Sequence, residues 1–128
     1  MGRLASKVAK ELIKGNLVFV VNAEKAVVSG GYHAVLNVYR ERISRGDPHN
    51  GPYYPKYPDR MLKRSIRGML PKNYTGRQAL KRLRVFISVP EELKEAKFQK
   101  LKEPENKLEC AYLELGEISR VMSGGRKL

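Results

Sequence analysis

Residues 60–84 hold nine basic side chains and no acid at all, and no other stretch restricts the fold more. Nine like charges cannot enter a core, because an unpaired buried charge costs far more than its burial returns. Nor can they neutralise one another, since solvated helix faces normally interleave both signs for i,i+4 pairing. The apolar residues of the stretch fall at helical intervals. Leu62, Ile66 and Met69 lie on one side of a helix over 60–70, with Met61 and Leu70 at its margins, while Arg60, Lys63, Arg64 and Arg67 project from the other. Asp59 is placed to cap that helix. A further helix from about 77 to 83 sets Arg77, Lys81 and Arg84 at i, i+4 and i+7, opposite Ala79 and Leu83. The stretch therefore predicts two helices docked on a body, their cations gathered outside and at ease only beside an external polyanion.

Elsewhere the charge is modest. Residues 1–50 carry eight basic and four acidic side chains, 51–90 carry ten and one, and 91–128 carry eight of each. The middle third thus supplies most of the net +13. With 41% apolar residues in 128, the chain can bury a core and wholesale disorder is excluded. One domain over 1–128 is expected, with its core at about 1–90 and a charged C-terminal extension at about 91–128. The lone Cys110 excludes an internal disulfide framework, and no Cys/His spacing fits a metal site. No apolar run approaches the ~20 residues that span a bilayer, so a soluble, cytosolic protein with no membrane partner is expected.

The body reads as alternating helices and strands. Leu4, Val8 and Leu12, with Ala5, Ala9 and Ile13 beside them, predict a helix over 3–14. Arg3, Lys7, Lys10 and Lys14 form a narrow stripe opposite, and Gly15 closes the helix. The continuous β-branched and aromatic run 17–21 has the pattern of a strand covered on both faces. A turn at 22–25, a short strand at 26–29 and a helix to about 45 follow. Val35, Val38, Tyr39 and Ile43 are candidates for that helix's buried side. From 46 to 58 periodicity disappears: four of the seven prolines fall there, among Tyr53, Tyr54 and Tyr57. Pro71, Asn73 and Gly76 break the chain between the two basic helices. Val85 to Val89 reads as a strand ended by Pro90. A short helix and a connection over 91–107, a strand near 110–113, a helix from 116 to 122 and a tail over 123–128 complete the reading. Strands alternating with helices point to an α/β domain.

Other constellations carry less. The helix over 60–70 lacks the Trp or Phe that membrane-surface helices and calmodulin targets usually present. Gly30-Gly31 matches no nucleotide fingerprint and reads as a turn. His33 and His49 have no second ligand at metal spacing, and Cys110 reads as a buried small hydrophobe. Glu91 and Glu92 sit in a solvated, mixed-charge stretch rather than a pocket that tunes carboxylates. No catalytic constellation is present, so neither an enzyme nor a cofactor or small-molecule substrate is expected. Tyr side chains beside cations instead suit unpaired bases and sugar faces, a mode typical of RNA recognition. The candidate RNA contacts are Arg3, Lys7, Lys10 and Lys14 in the first helix, and His49, Tyr53, Tyr54 and Lys56 in the loop. Arg60, Lys63, Arg64, Arg67, Lys72, Tyr74, Arg77, Lys81, Arg82 and Arg84 complete the set.

Specific stretches also resemble a known family. Gly2-Arg3-Leu4-Ala5-Ser6 opens the first helix, Val20-Val21-Asn22-Ala23-Glu24 ends the first strand, and Ile66-Arg67-Gly68-Met69-Leu70-Pro71 lies at the centre. Gly76-Arg77, Leu83, Val85-Phe86 and, less firmly, Leu115-Gly116-Glu117-Ile118-Ser119 follow. Together they resemble the universal large-subunit ribosomal protein L-thirteen family in its archaeal/eukaryotic form, over most of the chain. The resemblance implies a three-layer α/β/α fold with a small, mostly parallel sheet, and a structural role in the cytoplasmic large ribosomal subunit. It implies binding to large-subunit ribosomal RNA, neighbouring large-subunit proteins as further partners, and no enzyme activity. Two features depart from the pattern: this chain starts at the Gly-Arg-Leu-Ala-Ser helix, which a strand usually precedes, so either the sheet lacks that strand or the start is internal, and Ser88 stands where Gly is usual. Two rival readings are a sequence-specific nucleic-acid-binding regulator and a small nucleotide- or RNA-acting enzyme outside the ribosome. The regulator needs a recognition-helix geometry and usually a dimer seam, and the enzyme needs converging titratable groups.

Overall fold

A computed structural model describes residues 1–98 and 109–124. Helix α1 (Gly2–Ile13) leads to strand β1 (Val18–Val20), a single 3-10 turn and strand β2 (Val27–Ser29). Helix α2 (Tyr32–Ser44), an irregular loop, and helices α3 (Pro58–Met69) and α4 (Tyr74–Lys81) follow. Strands β3 (Leu83–Val85) and β4 (Tyr112–Glu114) and helix α5 (Leu115–Met122) complete the described chain. The chain is of the mixed α/β class. Its strands form two short ladders: β1 runs parallel to β3, with Phe19 opposite Arg84, and β2 runs antiparallel to β4. Helices α1, α3 and α4 pack against the parallel pair, and α2 and α5 against β4.

The elements follow from local chemistry. Ala5, Val8, Ala9 and Leu12 line the buried side of α1 at the expected spacing. Gly15, at φ +100°, turns the chain out of the helix through a conformation that glycine adopts at little cost. Pro58 sits in the first turn of α3, where a missing N–H costs nothing. Helix α3 then buries Met61, Leu62 and Ile66 against α1. Leu113, Leu115 and Ile118 are also core residues, so the core is drawn from both sides of residue 91. Ser119, fully buried, donates from Oγ to the Lys56 carbonyl at 2.5 Å and ties α5 to the loop ahead of α3. Replacing Ser119 by Ala leaves that carbonyl without its donor, and a loss of about 1 kcal/mol is expected in a urea titration.

Several expectations are corrected. The first strand is not covered on both faces: Phe19 is 43% exposed and its ring lies parallel to that of Phe86. A run that reads as fully buried in sequence is half-buried because the second face gets no complete cover. On α2 the buried residues are Val35, Leu36 and Tyr39, whereas Val38 is exposed and Ile43 half-buried. Met61 is fully buried and Met69 exposed, the reverse of their expected ranks, while Leu62 and Ile66 are buried as expected. Tyr57, not Asp59, is the N-cap of α3, and Asp59 lies within the first turn. Helix α4 starts at Tyr74 because the Asn73 side chain accepts a hydrogen bond from the Gly76 backbone N–H at 3.0 Å, which caps the helix early. Gly76 is therefore helical and buried, not a breaker. β3 ends at Val85, two residues before the expected strand's midpoint, since its pairing is set by Val18 to Val20. Cys110 is exposed. Much of the expected 91–107 connection and the end of the 123–128 tail lie outside the described residues.

Candidate nucleic-acid interface

Helix α3 turns its basic side outward as the periodicity dictates: Arg60, Lys63, Arg64 and Arg67 are all exposed. The α3–α4 corner is tight. A Cβ on Gly76 would stand 1.8 Å from the Pro71 carbonyl oxygen, so the two basic helices approach as closely as they do only because this residue is glycine. The corner makes a concavity of about 410 Å³ lined by Arg67, Leu70, Pro71, Lys72, Gly76, Arg77 and Leu80. Three cations thus surround an apolar floor. Tyr74, at the first position of α4, is 73% exposed beside it. Lys81 is exposed at the far end of α4, and Arg84 is exposed on the outward side of β3.

The loop is ordered by its own bonds. Asp47 Oδ1 accepts from the His49 backbone N–H at 2.9 Å, and the Tyr53 hydroxyl reaches the carbonyls of Pro48 and His49 at 2.9 and 3.0 Å. The Tyr53 ring itself stays 67% exposed. Tyr54 turns inward, edge-on to buried Tyr39 at 6.0 Å between centroids. Burial, with a smaller push from Tyr54, raises the Tyr39 phenol above its ordinary value, and Arg42 acts the other way. Lys56 is exposed, and the Arg60 guanidinium lies 5.9 Å from the Tyr57 ring centroid.

The other predicted residues divide. Arg3, Lys10 and Lys14 are exposed on α1 and Lys7 is half-buried. Lys14 is partly answered by Glu11 at 2.7 Å. Hydrogen bonds from Lys14 and Asn16 hold the Glu11 carboxyl below its ordinary value. Arg82 is turned inward, donating from Nη2 to the Leu12 carbonyl at 2.9 Å, so it fastens α4 to α1 and does not join the exposed row. Arg42 of α2 and Arg45, which caps its C-terminus, escape a reading of the sequence. The cluster Arg40-Glu41-Arg42 is visible there, but its bearing on the site depends on the loop folding back over α2.

Among the described residues, no group of three or more His, Cys, Asp or Glu side chains is placed to hold a metal, and no helix is long and apolar enough to cross a membrane. Among the described residues, the ion pairs Lys14 with Glu11, Arg45 with Glu41 and Lys94 with Glu91 leave the cations of α3 and α4 without a carboxylate partner. A small α/β body with an acid-free cationic face of this kind is the make-up of a ribosomal-type structural protein. Its sequence bears this out: the profile of the family described as Ribosomal protein L13 matches residues 1–105, and the chain belongs to that family. A large ribosomal subunit protein uL13 of Archaeoglobus fulgidus is 46% identical over 127 residues, covering 95% of this chain and 81% of the relative. The protein of the same name from Methanosarcina barkeri is 49% identical over 126 residues, covering 95% of this chain and 90% of the relative. The family is structural and non-enzymatic.

Proposed function

We propose that this protein is a structural constituent of the large ribosomal subunit that binds large-subunit ribosomal RNA and supports subunit assembly. The observation that carries the reading is the row of exposed cations on α3 and at the α3–α4 corner, none with a carboxylate partner among the described residues. Arg guanidinium forks match phosphate oxygens bidentately. Releasing counterions from the RNA then supplies most of the affinity, while the shape of the folded RNA supplies specificity. Loop 46–57 and the α1 stripe of Arg3, Lys10 and Lys14 extend the contact, with Tyr53 and Tyr74 offering exposed rings to unpaired bases. Neighbouring large-subunit proteins are the second class of partner. The concavity formed by Glu24, Glu114 and Glu117 beside Tyr112 and Arg120 repels phosphate and leaves that side to protein contacts.

Cosedimentation with large subunits in moderate salt tests the assignment, and competition between structured RNA and duplex DNA separates it from a DNA-binding regulator. A chain carrying Arg64→Ala and Arg67→Ala is expected to bind RNA less tightly. Its log–log salt slope should flatten by roughly 0.7–0.9 for each phosphate that is no longer neutralised. An unchanged slope would remove both residues from the interface.

A further inference from the structure

The loop that folds back over α2 leaves a second cleft, of about 370 Å³, lined by Arg42, Arg45, Pro52, Tyr54, Arg64 and Ser65. Arg42 and Arg64 come from elements distant in sequence and meet around one aromatic ring. The Arg64 guanidinium carbon lies 4.5 Å from the Tyr54 centroid, and that of Arg42 lies 5.9 Å from it and 5.4 Å from the Tyr39 centroid. Arg64 also donates from Nη1 to the Tyr53 carbonyl at 2.9 Å, and Arg42 Nη1 reaches the Tyr54 hydroxyl at 3.5 Å. All of these partners are neutral. They fix the guanidinium positions without cancelling the charge, and each guanidinium has five N–H donors, most of them still unspent. Arg45 alone has a carboxylate, the exposed Glu41 one turn earlier. Like charges held this close repel unless an anion joins them. The cleft is also within the size range of small-ligand sites.

We propose that this cleft is a phosphate seat, occupied by the phosphodiester backbone of RNA. It adds Arg42 of α2 and Arg45 at its C-cap to the interface, gives Arg64 a partner group, and assigns Tyr54 the task of holding two guanidiniums in place. The proposal rests on the RNA-binding reading above, and the experiment keeps the two apart.

RNA affinity is measured against salt for the unaltered chain, for Arg42→Gln with Arg45→Gln, and for Arg42→Lys, with circular dichroism to verify each fold. The double variant is expected to lose roughly 0.7–0.9 from the slope, the share of one phosphate no longer neutralised. The Lys variant keeps the point charge and should keep the slope while binding several-fold more weakly, because the planar fork is gone; it serves as the readout if the double variant does not fold. Pyrophosphate is titrated in parallel, and should raise the melting temperature of the unaltered chain but not of the double variant. A double variant with the full slope on an RNA that the unaltered chain binds would overturn the seat and leave the rest of the interface standing. Stabilisation by pyrophosphate with no change in the RNA slope would overturn RNA as the source of the phosphate. Failure of the unaltered chain to bind any structured RNA would instead sink the broader reading.

Discussion

A chain carrying Gly76→Ala is expected to melt about 8 °C below the unaltered protein. Two effects of opposite sign meet at this residue. Ala is the better helix former by about 1 kcal/mol, and propensity alone predicts stabilisation within α4. The new methyl, however, would stand 1.8 Å from the Pro71 carbonyl oxygen and 2.9 Å from its carbon. Both are backbone atoms that no rotamer change can move aside. Overpacking of this severity costs about 3 kcal/mol. The net loss of about 2 kcal/mol converts to the stated shift at about 4 °C per kcal/mol for a domain of this size. Thermal unfolding followed by circular dichroism decides the matter, and a raised melting temperature would mean that the α3–α4 corner is looser than described. RNA affinity should fall in the same variant, because opening the corner moves Arg77 away from Arg67 and Lys72.

Reversing three charges on the same face should have the largest effect on binding. Lys63→Glu, Arg67→Glu and Arg77→Glu together replace three cations with three anions, at residues that are exposed and make no described internal hydrogen bond or ion pair. At 0.1 M salt, each phosphate left without its cation costs about 0.8 of a decade in affinity, so three cost at least about 10²-fold before any repulsion from the new carboxylates is added. The melting temperature should hold or rise slightly, since like-charge crowding is relieved. A filter-binding titration of structured RNA against this triple variant measures the loss. Undiminished affinity would place the RNA contact elsewhere on the molecule.

The helices were legible because each pairs an apolar stripe with a charged one: Leu62 and Ile66 against Arg60, Lys63 and Arg67, or Val8 and Leu12 against Lys7 and Lys10. That pattern holds whatever the helix packs on. The three-residue strands were harder to place. Val85 to Val89 has the better β composition, yet the ladder forms at Leu83–Val85 because the register with Val18 to Val20 decides it. Phe19 shows the same limit: an unbroken apolar run reads as buried, but its burial depends on what lies over the sheet. For the interface, the sequence showed which residues were cationic but not their company. It did not show that Arg82 reaches back to Leu12, or that Arg42 and Arg64 share Tyr54. Those pairings join segments that only the tertiary fold brings together.

The bond from Ser119 to the Lys56 carbonyl also has a consequence for timing. Synthesis runs from the N-terminus, so the cationic loop and both basic helices are made well before α5, which supplies that bond together with Leu115 and Ile118 of the core. A nascent chain that has reached only α4 already bears its charges but not the bond that ties α5 to the loop ahead of α3. The cationic face is thus complete in sequence before the Lys56 carbonyl gains its donor and before Leu115 and Ile118 close their part of the core.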